Sequence, residues 1–163
     1  KCRLVACDTM NFWIEGKPAE LAKVLKRVDM IFINDGEARL LAKESNLIKA
    51  ARKIQNMGPG TVAIKKGEHG AFLFHGEQFF ILPVYPLEEV FDPTGAGDSF
   101  AGAAMGYLAK TGDLNFENLK RAIVYGVVVA SFTVEKFGLE RLRTLETSEI
   151  EERLADFRRI CHF

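Results

Sequence analysis

Cysteine, histidine and tryptophan are scarce in this chain: three, three and one among 163 residues. Cys2, Cys7 and Cys161 fall at no metal-binding spacing, and an odd number of thiols suits a reducing compartment, the cytoplasm, rather than a disulfide framework. His69, His75 and His162 stand apart, in a glycine loop, a hairpin and the tail, and suggest no catalytic pairing. A dominant charge is missing too. The 22 basic residues balance 22 acidic ones, which argues against non-specific binding of nucleic acid or an anionic membrane. No apolar run reaches membrane-spanning length, because Gly126, Ser131 and Thr133 interrupt the most hydrophobic stretch. Residues 1–163 show no signal peptide, internal repeat, linker or low-complexity segment. The phosphate loop G-x-x-x-x-G-K-[ST] occurs nowhere. The opening Lys1, just before an expected strand, reads as a fragment or a processed chain.

What is present is a core. Apolar residues make up 48% of the chain, enough for one folded domain of its length. Arg3–Cys7, Met30–Ile33 and Thr61–Lys65 read as buried strands. Helical spacing follows Pro18 (Leu21, Val24, Leu25, Val28) and covers Ala38–Lys43 and Leu47–Met57, with Gly58-Pro59-Gly60 as a stop. Ala71–His75 and Gln78–Leu82, split by Gly76-Glu77, read as a hairpin. Phe100–Lys110, Leu119–Lys136 and Ser148–Ile160 read as helices. Strands alternating with helices predict a three-layer α/β/α sandwich with a mostly parallel sheet and an antiparallel hairpin. Ligands of such sheets sit at the carboxyl ends of strands, so Asp8, Asn34, Lys65 and the turn at Asp92 are expected along one edge.

The most informative stretch runs from Phe91 to Ala109, beginning F-D-P-T-G-A-G-D. Gly95-Ala96-Gly97 lets backbone amides converge with no large side chain in the way. A helix beginning there adds unsatisfied amides and a positive dipole end, which together make an anion cradle. Asp98 follows at once and is placed to take a proton from an attacking hydroxyl. Turn and helix capping is the plain alternative for Asp92, Thr94 and Asp98. Asn34 and Glu37, N-x-x-E at a strand end, suit either a hydrated magnesium ion or a helix-capping box. Lys65, Gly67 and Gly70 form K-x-G-x-x-G after a strand, either a nucleotide contact or a connecting turn. Trp13 either borders an acceptor pocket or packs in the core.

Taken in order, N-x-x-E, K-x-G-x-x-G and D-P-T-G-A-G-D resemble the motifs of the ribokinase-like, or PfkB, family of carbohydrate and nucleoside kinases. The resemblance covers nearly the whole chain and corresponds to the C-terminal, nucleotide-binding half of such a kinase, without the N-terminal half, its Gly-Gly motif and its lid. It implies phosphoryl transfer from ATP to a hydroxyl of a sugar, with a nucleoside acceptor or a non-catalytic nucleotide-binding remnant as alternatives. Asp98 is then the base, and the amides of Gly95, Ala96 and Gly97 form the anion hole. Magnesium lies near Asn34 and Glu37, and Lys65, Gly67 and Gly70 contact the nucleotide. Gly126 and Ala130 fall where the family packs a helix on adenine, and Asp92 with Thr94 where potassium-using members bind that ion. A homodimer through the exposed sheet edge is the expected assembly, with no nucleic-acid or membrane partner.

Overall fold

The computed structural model describes residues 2–161 and divides the chain into two compact units. One comprises residues up to Gly67 with Ala71–Ile81, and the other Glu68–Gly70 with the chain from Leu82 onward. The length predicts a single domain, whereas the chain divides into two units.

The first unit is built on a five-stranded sheet: β1 (Ala6–Asp8), β2 (Met30–Asn34), β3 (Thr61–Lys65), β4 (Ala71–His75) and β5 (Gln78–Leu82), in that spatial order. β1, β2 and β3 run parallel, in register from Met30↔Thr61 to Asn34↔Lys65, whereas β4 pairs antiparallel with β3. The apolar run Met30–Ile33 is almost wholly shielded, as expected of a parallel strand covered on both faces. Four helices accompany the sheet: α1 (Asn11–Gly16), α2 (Pro18–Leu25), α3 (Asp35–Ala42) and α4 (Leu47–Gln55). α4 turns Leu47, Ala50, Ala51 and Ile54 into the core, and the Asn46 side chain caps it by accepting from the amides of Ile48 and Lys49. Its Arg52 donates to the carbonyls of Gly76 and Glu77 and so fastens the hairpin turn, where Gly76 adopts φ +52°.

β1 begins at Ala6 rather than Arg3. Asp29 explains the difference: its carboxylate accepts from the Val5 amide at 2.8 Å, while the amides of Asp29 and Met30 both donate to Val5 O. A side chain thus replaces the ladder ahead of Ala6. α1 was not legible, since N-F-W-I-E-G shows no helical period and no side chain caps its start.

The second unit is helical: α5 (Ala96–Thr111), α6 (Phe116–Thr133), α7 (Glu140–Arg143) and α8 (Thr147–Cys161). α6 packs on both α5 and α8. Gly126 lets α6 lie close against α5, because a Cβ there would lie 2.8 Å from Phe100 O. Asn115 caps α6 by accepting from the Asn118 amide, and α5 stops at Gly112 in a left-handed conformation (φ +65°). α6 ends at Thr133 rather than Lys136, as the chain turns at Val134. Among the described residues no helix is long and apolar enough to cross a membrane.

Candidate active site

The start of α5 is an open helix end. Gly95 occupies the cap position at φ +80°, a conformation that costs a residue with a Cβ about 1 kcal/mol. No side chain caps the end. The Ala96 amide donates to Pro93 O at 3.2 Å, and the first helical bond runs from the Ser99 amide to Gly95 O at 2.9 Å. The amides of Gly97 and Asp98 therefore find no backbone acceptor among the described residues. Two unsatisfied donors at the positive end of a sixteen-residue helix are chemically suited to an anion. The exposed carboxylate of Asp98 stands in the same turn. Of the expected amide trio, Ala96 is already engaged, and the open pair is Gly97 with Asp98.

The approach to this turn is held by its own backbone. Asp92 Oδ1 accepts from the Thr94 amide at 2.9 Å, and that bond holds the Asp92 carboxyl below the usual carboxylate range. Upstream, the amides of Phe91 and Asp92 both donate to Val134 O, at 2.8 and 3.3 Å. The last turn of α6 thus fixes where the Asp92 turn begins. Asp92 itself follows irregular chain, ten residues past the end of β5 at Leu82, and not a strand as expected.

In the first unit, the carboxyl ends of β1, β2 and β3 bring Asp8, Asn34, Glu37 and Lys65 together. Asn34 and Glu37 form a reciprocal capping box: Asn34 Oδ1 accepts from the Glu37 amide at 2.7 Å, and Glu37 Oε2 from the Asn34 amide at 3.0 Å. Lys65 Nζ reaches across the end of β2 to Asp8 Oδ2 at 2.6 Å. Burial raises the Glu37 carboxyl above its usual range, and the Asp8 charge adds to this, while the Asn34 bond and Lys65 oppose it. Among the described residues no three histidine, cysteine or acidic side chains cluster as a metal cage. One buried carboxylate with a single oxygen in the capping box instead fits a hydrated magnesium ion, which keeps several of its waters.

Gly67 and Gly70 flank a short 3-10 helix, both at positive φ. Gly67 faces open space, whereas a Cβ on Gly70 would collide with Leu82 O. Close packing explains the missing side chain at Gly70, and Gly67 stands beside open space. Gly126 is likewise taken up by Phe100, while Ala130 remains half-exposed on α6. The part of Asp8 in holding Lys65, and that of Val134 in holding Asp92, carried no motif.

Comparison with known proteins agrees with this architecture. The chain is 34% identical over 120 residues to a cytidine kinase from Thermococcus kodakarensis, matching 72% of this chain and 41% of that protein. The aminoimidazole riboside kinase of Salmonella enterica, solved with aminoimidazole riboside and an ATP analog, superposes with a TM-score of 0.79 at 23% identity, covering 93% of this chain and 52% of that one. A putative ribokinase II from E. coli in complex with ATP and Mg2+ superposes at 0.73 with 28% identity, over 89% of this chain and 45% of that one. These likenesses show the fold to be the three-layer α/β type of ribokinase-like proteins, with a mixed sheet. The chain spans about two fifths of the length of the cytidine kinase it matches. The model of the pfkB family carbohydrate kinases matches residues 5–145, and this chain belongs to that family.

Proposed function

We propose that the protein carrying this chain transfers the γ-phosphoryl group of ATP to a hydroxyl of a sugar or nucleoside. The observation that carries this reading is the open start of α5, with two amides awaiting an anion and a carboxylate one step away. The Asp98 carboxylate takes the proton of the acceptor hydroxyl as its oxygen bonds to the γ-phosphorus and the bond to the ADP oxygen breaks. The amides of Gly97 and Asp98, with that of Gly95, hold the oxygens of the migrating group and stabilise the charge that builds on them.

Asn34 and Glu37 hold magnesium through water, and the capping box fixes their geometry in advance. Magnesium, when bound, neutralises phosphate charge. Lys65 and Gly67 seat the nucleotide, the lysine exchanging part of its hold on Asp8 for phosphate oxygens. Ala130 borders the adenine. Asp92 and Thr94 serve a monovalent cation, for which an exposed turn with an ionised carboxylate is suited. The unpaired Cys2, Cys7 and Cys161 fit a cytoplasmic protein. Phe79 and Ile81, exposed on β5 at the end of the sheet order, favour self-association there, which light scattering would detect as a dimer.

A panel of sugars and nucleosides, each offered with Mg-ATP, tests the reading. ADP release with one acceptor class supports it. ATP binding without turnover on the whole panel would leave a nucleotide-binding remnant.

A further inference from the structure

The turn just past the end of α6 is held by a set of charges that the phosphotransfer reading does not use. Glu135 stands at its centre. Its Oε2 accepts from Arg141 Nε at 3.0 Å and its Oε1 from Arg153 Nη2 at 2.6 Å. Arg141 also pairs with Glu149 on α8. Arg153 extends the hold one turn back, donating to Ser131 Oγ at 3.0 Å, and Ser131 donates in turn to Val128 O at 2.6 Å. Both guanidinium groups lie over the Phe132 ring, at 3.4 Å for Arg153 and 4.9 Å for Arg141, and the Tyr85 ring stacks beneath Arg153 at 4.9 Å. A cavity of about 350 Å³ opens between α7 and α8 beside these groups. Each arginine in this cluster that faces Glu135 is matched by a carboxylate, so the cluster is a clasp and not an anion site.

What the clasp holds is the residue before Glu135. A helix leaves its final carbonyls without intrahelical partners. At this end no glycine motif supplies the missing donors. Val134 O instead receives the amides of Phe91 and Asp92, the two residues that lead into the candidate catalytic turn. From there the bonds run in sequence: Thr94 amide to Asp92 Oδ1, Ala96 amide to Pro93 O, and Ser99 amide to Gly95 O. The Phe91 ring also meets Phe137 edge-on at 5.1 Å, just past the clasp. A shift of the α6 terminus is therefore passed to the Asp92–Gly95 turn through its own backbone.

We infer that Glu135, gripped by Arg141 and Arg153, is a positioning residue that holds Val134 O in place and so sets the phosphate-binding turn at the start of α5. The consequence for turnover rests on the phosphotransfer reading; the consequence for the backbone does not. Glu135→Gln keeps the shape and removes the charge that both arginines share. Amide hydrogen exchange of that variant is expected to speed up about tenfold at Phe91 and Asp92, the worth of one charge-assisted bond, with Leu108 and Ile123 unchanged. Turnover should fall on a similar scale while KM for ATP stays within about twofold, because seating of the nucleotide on Lys65 and Gly67 is not touched. Arg153→Met cuts the clasp from the α8 side and should reproduce the exchange pattern, and Glu152→Gln, which lines the cavity without touching Glu135, should leave it unchanged. Retained protection of Phe91 and Asp92 in Glu135→Gln would overturn the inference, as would uniform acceleration along α5, α6 and α8. If the parent protein shows no kinase activity, the exchange result still decides.

Discussion

The strand ends around Asn34 and the helix start around Gly97 are both rich in backbone amides and carboxylates, and they use them in opposite ways. At Asn34 the backbone donors close on neighbours: the amides of Asn34 and Glu37 meet each other's side chains, and Lys65 meets Asp8. At Gly97 the donors are left open, the cap residue is a glycine without a side chain to fold back, and the carboxylate of Asp98 points to solvent. A helix end without partners is costly unless water or a ligand fills it. The contrast separates a helix end that has room for an anion from strand ends that hold their own shape in advance.

The comparison breaks most severely at Asp98. Asp98→Asn leaves the amides and the fold in place and should lower turnover about a thousandfold, with ATP binding retained. Steady-state kinetics and isothermal titration of the variant check this; near-normal turnover would remove the base from the account. Next in size is the pair of glycines after β3. Gly70→Ala forces a Cβ into Leu82 O at φ +87° and should cost about 3 kcal/mol of stability. Gly67→Ala meets open space and should cost about 1 kcal/mol, for its φ alone. Denaturant unfolding curves compare the two, and equal losses would mean that Gly67 is as closed as Gly70. Third, Asn34→Ala dismantles the capping box and should cost about 1 kcal/mol, read in the same way, whereas a loss no larger than that of an ordinary surface change would deny the box its structural part.

The smallest expected effect contrasts a closed thiol with an open one. Burial and the neighbouring Asp8 push the Cys7 thiol up to about 11, while Cys2 is exposed. Because the folded value lies above the ordinary 9.0, the fold favours the protonated thiol. That contribution is complete below pH 9 and disappears as the pH rises to about 11. Iodoacetamide at pH 8 should therefore label Cys2 well ahead of Cys7, and equal rates would contradict the partial burial of Cys7.

Much of the sheet was readable because its information is local. Thr61–Lys65, Ala71–His75 and Gln78–Leu82 are apolar runs bounded by glycines, and the strands form over those residues. The open turn at Gly95 was readable for the same reason, since glycine spacing and the following small residues are written in adjacent positions. What escaped depends on distant partners. The β1 boundary is set by Asp29, and Lys65 is held by an aspartate 57 residues away. Gly126 suggested an adenine neighbour, yet its lack of a side chain is accounted for by Phe100. The Glu135 clasp joins residues from three helical segments, and the sequence alone places Glu135 inside the helix expected over Leu119–Lys136 with nothing to mark its partners.

The central claim is that the amides of Gly97 and Asp98 grip the group being transferred. A crystal structure of the protein with a non-hydrolysable ATP analog and magnesium measures this directly. The account predicts terminal phosphate oxygens within hydrogen-bond distance of both amides, with the Asp98 carboxylate facing the acceptor side. A terminal phosphate held elsewhere, with the two amides bonded only to water, would contradict it.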